Sequence, residues 1–226
     1  MKLLALETAT EACSAALYLD GQIHERYTVA PRGHAGLILP MVDGLLAEAG
    51  MVPGALDAVT VGRGPGSFTG VRIAAGVAQG IAFGADLPVV PVSTLAVLAQ
   101  GAVRELETAA VLAAIDARME EVYWGAFRAD GNGCAAAVGE ERVCPAAAVP
   151  VPDGEGWTGA GTGWGPYEAE LTARLGGRLA AVDAARLPRA RDLAVLGAAA
   201  FQRGEGGAPE QAIPVYLRDR VVRPPV

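Results

Sequence analysis

The sequence predicts a mixed α/β fold built as two lobes, and three observations carry that reading. The chain opens with three short apolar runs in hairpin order, and strand-like runs then alternate with helical ones up to about residue 104. From Thr108 a second set of strand-like runs begins, followed by helices.

In order, Leu3 to Thr8, Ser14 to Leu19 and Ile23 to Val29 read as strands, with Asp20-Gly21 as the tight turn of the second hairpin. After Pro31-Arg32-Gly33 a helix is expected from His34 to Ala49, stopped by Gly50 and Pro53. Residues 57–61 read as a buried strand. It leads into Gly62-Arg63-Gly64-Pro65-Gly66-Ser67-Phe68-Thr69-Gly70 and then a second long helix reaching Gly84. Leu87 to Val92 gives another strand, and Ser93 to Val103 a helix. In the second lobe Val111 to Ile115 and Glu121 to Phe127 read as strands, Asp130 to Gly133 as a turn and 145–156 as a loop. Trp157 to Gly165 reads as strand and turn, with helices at Tyr167 to Leu175 and Arg191 to Arg203. The lobes are expected at 1–104 and 105–226, the last segment returning to the first lobe.

With 226 residues, 52% of them apolar, the chain can bury a substantial core and fold as a soluble protein. Arg72, Asp86, Pro88 and Pro91 interrupt the most apolar region, so no run reaches the roughly 20 residues of a spanning helix. Glu7 comes too early for a secretory signal. Cys13, Cys134 and Cys144 are odd in number and lack paired spacing, which favours reduced thiols and a cytoplasmic location. A net charge of -7 works against independent nucleic-acid binding, because the whole-molecule field repels phosphate.

The second long helix has too much to hide. From Val71 to Phe83 only Arg72 and Gln79 want water, and their spacing of seven puts them on one narrow stripe. Gly76, Gly80 and Gly84 recur every four residues, as do Gly70, Ala74 and Ala78, with Ile73, Val77 and Ile81 as a ridge between them. In the first helix Leu37, Met41 and Leu45 belong to apolar positions spread over more than one face. These residues are either a docking surface for other helices or a central helix wrapped inside its own fold, and both readings stand at this stage.

Catalytic chemistry finds little support. The glycine-rich stretch at 62–70 has the outline of a phosphate cradle, but it lacks the Walker lysine and the third glycine of the dinucleotide fingerprint, and Pro65 removes a donor. A structural tight turn is the competing reading. His24 and His34 lie ten apart and the cysteines are scattered, so neither a metal site nor a cofactor is expected. No G-x-S-x-G occurs. Glu7, Glu11, Asp57 and Asp116 lie near strand ends, where acid–base work competes with solvation and turn-capping.

With these residues laid out, the chain resembles the TsaB (YeaZ) family nearly end to end. The likeness rests on Leu4 to Ser14, Gly62 to Arg72, Val92 to Leu95, Ala114 to Met119 with Glu121 to Trp124, Gly161 to Trp164 and Pro214 to Arg218, in that order and spacing. It implies a two-lobed actin-like (ASKHA, ribonuclease-H-like) fold with mixed sheets flanked by helices, related to the catalytic protein TsaD. Thr94 and Leu98 would stand where TsaD carries its two metal-binding histidines. Neither side chain can replace an imidazole, so the resemblance implies a non-catalytic subunit.

The family pairs with TsaD through its first two long helices, in a complex with the ATPase TsaE. That complex transfers a threonylcarbamoyl group to N6 of the adenosine 3′ of the anticodon in tRNAs reading ANN codons. By this resemblance the expected partners are TsaD, TsaE, a second copy when TsaD is absent, and tRNA only through the complex. The competing expectation is a stand-alone nucleotide hydrolase using Glu7 and the 62–70 loop, or a peptidase.

Overall fold

The computed structural model describes residues 1–218. A first sheet holds β1 (Lys2–Glu7), β2 (Ala12–Leu19), β3 (Gln22–Val29), β4 (Ala58–Gly62) and β5 (Val89–Val92), in the order β3-β2-β1-β4-β5. The first three strands are an antiparallel meander, and β4 and β5 add in parallel to β1. Asp20 and Gly21 both have positive φ, 49° and 96°, as a two-residue turn matched to strand twist requires. Parallel strands need crossovers, and two helices supply them: α1 (His34–Glu48) before β4 and α2 (Phe68–Ala85) before β5.

Helices cover the first sheet on both faces, which explains why β1 and β4 carry no polar alternation. Leu4, Leu6, Val59 and Val61 pack with Ile38, Val42 and Leu45 of α1 and Ala74, Ala78 and Ala82 of α2. Leu3, Ala5 and Ala58 face the other way, toward α5 (Ala190–Gln202). At its closest approach Gly197 of α5 lies against Thr60, where an added Cβ would come within 2.4 Å of the hydroxyl oxygen.

The second sheet repeats this plan with β6 (Ala110–Asp116), β7 (Glu121–Ala129), β8 (Ala135–Ala137), β9 (Arg142–Pro145), β10 (Trp157–Ala160) and β11 (Leu179–Asp183). Its order is β11-β10-β6-β7-β8, and β9 also pairs with β7. Again an antiparallel pair sits beside two parallel strands. One face packs against α4 (Trp164–Leu175), where Trp164 donates its indole N–H to the carbonyl of Leu112 at 3.0 Å. The other packs against α3 (Thr94–Leu106) through Leu95, Leu98, Ala99 and Ala102.

The chain therefore crosses between lobes twice. Helix α3 follows the first sheet in sequence but covers the second, and α5 follows the second sheet but covers the first. Asp192 of α5 is paired with Arg104 of α3 by two hydrogen bonds of 2.8 and 3.0 Å. Burial pushes the Asp192 carboxyl above the usual carboxylate range, against the pull of Arg104. The architecture is the two-lobed mixed α/β fold that the sequence led us to expect.

Four elements differ from that expectation. Strands β8, β9 and β11 were not expected, and α2 starts at Phe68 inside the glycine-rich stretch, capped by Ser67, which accepts from the Gly70 N–H. By length and composition alone α2 is also apolar enough to cross a membrane, with one third of it buried. The buried part is built into the first sheet's core, so the excess apolarity belongs to its outer face.

Candidate docking face and interlobe cleft

Helix α2 has two lines of small residues, and they lie on opposite sides. Positions two apart are about 200° apart around a helix, so the 70-74-78 line and the 76-80-84 line cannot share a face. Ala74, Ala78 and Ala82 are fully buried against the sheet. Gly70 is buried too, and an added Cβ there would lie 2.1 Å from the carbonyl oxygen of Thr8. On the far side Gly76, Gly80 and Gly84 are exposed, and an added Cβ at each would meet nothing within 4 Å.

The outer face of α2 is unusually apolar for a surface. Phe83 is 83% exposed and Phe68 59%, while Ile73, Val77 and Ile81 are half-buried along its flanks. On α1, Leu39 is exposed and Leu37 and Met41, about 200° round the helix from it, are half-buried. Of the residues read from the sequence as a docking face, Leu37, Met41, Ile73, Gly76, Val77, Gly80, Ile81 and Gly84 are therefore accessible. Leu45, Gly70 and Ala74 are not. They are sealed inside the chain's own core, so the expected face loses these three. Conversely, Phe68, Phe83 and Leu39 were missed, although Phe83 lies three positions from Gly80 and so on the same side of α2.

The glycine-rich stretch is shaped by close packing. An added Cβ at Gly66 would sit 2.3 Å from the carbonyl oxygen of Ala9, and one at Gly62 2.1 Å from the Glu7 carboxylate. Two of its backbone donors are engaged as well: Ser67 N–H donates to the carbonyl of Ala9 at 2.7 Å and Arg63 N–H to that of Val92 at 2.8 Å. Glycine here admits the β1–β2 turn, which accounts for the motif without a phosphate.

Glu7, beneath that stretch, is fully buried. It accepts from Ala9 N–H at 2.8 Å and from the Thr94 hydroxyl at 3.1 Å, yet loss of solvation dominates and its pKa is pushed up to about 7. A carboxyl held above its ordinary 4.5 stabilises the fold fully below about pH 4.5, and that contribution is lost as the pH rises toward 7. The span is worth roughly 3 kcal/mol at about 1.4 kcal/mol per unit. Glu7→Gln should therefore melt above the wild type at pH 8, the gap closing as the pH falls to 5. Parallel melting curves across that range would contradict the assignment.

Thr94 and Leu98 serve the lobe junction. Thr94 holds Glu7, and Leu98 lies in the core between α3 and the second sheet. His34 is buried with its Nε2 3.2 Å from the carbonyl of Ala12, while His24 is exposed on β3. Among the described residues no three His, Cys, Asp or Glu side chains gather as a metal would need.

Between the lobes lies a cleft of about 870 Å³. Glu11 and the start of α2 wall it on one side, Asp116, Arg118 and Tyr123 on the other. Arg118 is tied to Asp116 at 2.9 Å, and Arg72 lies over the Phe68 ring at 3.2 Å from its centroid. Asp57 caps the Lys2 N–H at 2.7 Å, at the opposite end of the sheet.

Comparison with known proteins agrees with this architecture. The family model described as TsaD, tRNA N6-adenosine threonylcarbamoyltransferase, matches residues 20–224. The tRNA threonylcarbamoyladenosine biosynthesis protein TsaB of Escherichia coli K12 is 44% identical over 98% of this chain and 96% of its own length. Its namesake from Haemophilus influenzae is 40% identical over 98% and 95%. The solved structure of YeaZ from Pseudomonas aeruginosa is 52% identical, covers 96% of this chain and 99% of its own, and superposes with a TM-score of 0.89. Identity at this level along almost the whole length shows that the chain belongs to the TsaB family.

Proposed function

We propose that this chain acts in tRNA threonylcarbamoyladenosine biosynthesis as a non-catalytic subunit that docks on TsaD through the outer faces of α1 and α2. The observation that carries the reading is the open glycine line of α2, flanked by exposed Phe68 and Phe83, which lets another helix approach its backbone closely. The names of its relatives place them in that pathway, and the glycine-rich stretch lacks the Walker lysine and is packed closely on the β1–β2 turn. TsaE joins the pair, and TsaD carries the transfer to the adenosine 3′ of the anticodon. Without TsaD, a second copy covers the same face.

Reconstitution tests this directly. Threonylcarbamoyl transfer by TsaD and TsaE should require this chain, and the purified chain alone should hydrolyse no more ATP than its Glu7→Ala variant. Transfer at full rate without it, or turnover that Glu7→Ala abolishes, would favour a stand-alone enzyme.

An acidic subunit should also leave tRNA to its partner. Filter binding of bulk tRNA to the isolated chain should be weak and should collapse with modest added salt, as expected for local arginines on a molecule of net charge -7. Sub-micromolar binding at physiological salt would contradict this.

A further inference from the structure

Residues 212–218 have no regular secondary structure, yet they are tied to both lobes. On the first lobe Gln79 donates to the carbonyl of Ala212 at 3.3 Å, and the Val215 N–H donates to the carbonyl of Arg63 at 2.8 Å. The Tyr216 ring lies 5.9 Å from that of Phe68, with the Arg72 guanidinium 4.9 Å from the Tyr216 centroid. On the second lobe Arg218 forms an ion pair with Glu121, donates to the carbonyl of Arg118 at 3.4 Å and meets the Met119 sulfur at 3.6 Å. Between the two sets of anchors, Val215, Tyr216 and Arg218 form part of the cleft wall.

The second-lobe anchor is a strained turn. Arg118, Met119 and Glu120 have φ of 61°, 58° and 65°, three consecutive side-chain-bearing residues in the left-handed region. Such backbone persists only where its surroundings hold it. Asp116 supports it from inside the lobe, accepting from the Arg118 N–H at 2.8 Å, and Arg218 supports it from outside. The Arg218 side chain is 15% exposed and that of Glu121 29%, so this pair is better shielded from water than a surface contact.

We propose that residues 212–218 are an interlobe strap that holds the cleft closed, and that release of Arg218 from the 118–121 turn opens it. The strap acts within the chain itself, and it begins on α2, so Phe68 and Arg72 are shared between the strap's anchorage and the helix's outer side. The strained turn supplies the two-state element that such a latch needs, since it relaxes when Arg218 leaves.

Amide hydrogen exchange of the full chain tests the latch, using Arg218→Gln, Glu121→Gln and the charge swap Arg218→Glu with Glu121→Arg. Each single variant should speed exchange about tenfold at Val215 and across both cleft walls, residues 9–11 and 115–119, for a pair worth about 1.4 kcal/mol. The β1–β4 core should be unchanged, and the charge swap should restore part of the protection, since it regains the ion pair but not the hydrogen bond to the carbonyl of Arg118. Faster exchange confined to 215–218, unaltered exchange in the single variants, or no rescue by the swap would each overturn the proposal.

Discussion

Gly80→Leu is expected to leave the isolated chain at least as stable as the wild type while weakening its association with TsaD about ten- to a hundredfold. The two effects have different origins. In the free chain position 80 opens onto empty space, so a leucine there meets nothing and removes the entropic cost of a mid-helix glycine, about 0.5–1 kcal/mol. In a docked helix pair the same side chain holds the backbones apart, and overpacking of this kind typically costs about 1–3 kcal/mol, at about 1.4 kcal/mol per tenfold in affinity. Val77→Arg, on the neighbouring ridge, should weaken association by about two orders of magnitude or more, because it buries an unpaired charge. Val77 is half-buried in the free chain, so its thermal midpoint must be measured alongside. A Gly80→Leu protein that melts well below the wild type at concentrations where both are monomeric, or binds TsaD equally well, would contradict the docking assignment.

Asp192→Ala should have the largest destabilising effect. Asp192 is almost completely buried between α3 and α5, where its carboxylate takes two hydrogen bonds from Arg104, whose other ion-pair partner is the more exposed Glu105. Removing it leaves the partly buried guanidinium with Glu105 as its remaining partner, and losing the two charged hydrogen bonds costs about 1.5–3 kcal/mol and lowers the midpoint of a chain this long by roughly 5 °C. The double variant with Arg104→Leu should recover part of the loss, since no under-paired guanidinium then remains. A drop of less than about 2 °C for the single variant would mean that the lobes are joined mainly by apolar contact.

Most of the fold was legible because its elements are long, periodic and well punctuated. The continuous apolar runs of β1 and β4, the Asp20-Gly21 turn and the glycine and proline stops of α1 each had one reading. Strands β8 and β11 were not legible, since Ala-Ala-Ala has no β-branched residue, Leu-Ala-Ala-Val-Asp has only Val182 and neither alternates, so both owe their conformation to the strands beside them. The docking face was half legible. The four-residue spacing of small residues revealed two close-packing lines, but one packs against the chain's own sheet and takes Gly70 and Ala74 with it. The angular offset of two positions would have separated the lines, and hydrophobicity alone did not say which faced inward. Phe68 and Phe83 were overlooked because an apolar side chain reads as core until its neighbours are known.

The most direct test of the central claim is the mass, by light scattering, of an equimolar mixture of this chain and TsaD. A heterodimer is expected for the wild type, and separate peaks for TsaD and a fully folded Val77→Arg chain. If both proteins elute at their separate masses whichever version is present, the outer faces of α1 and α2 are not the surface through which this chain works.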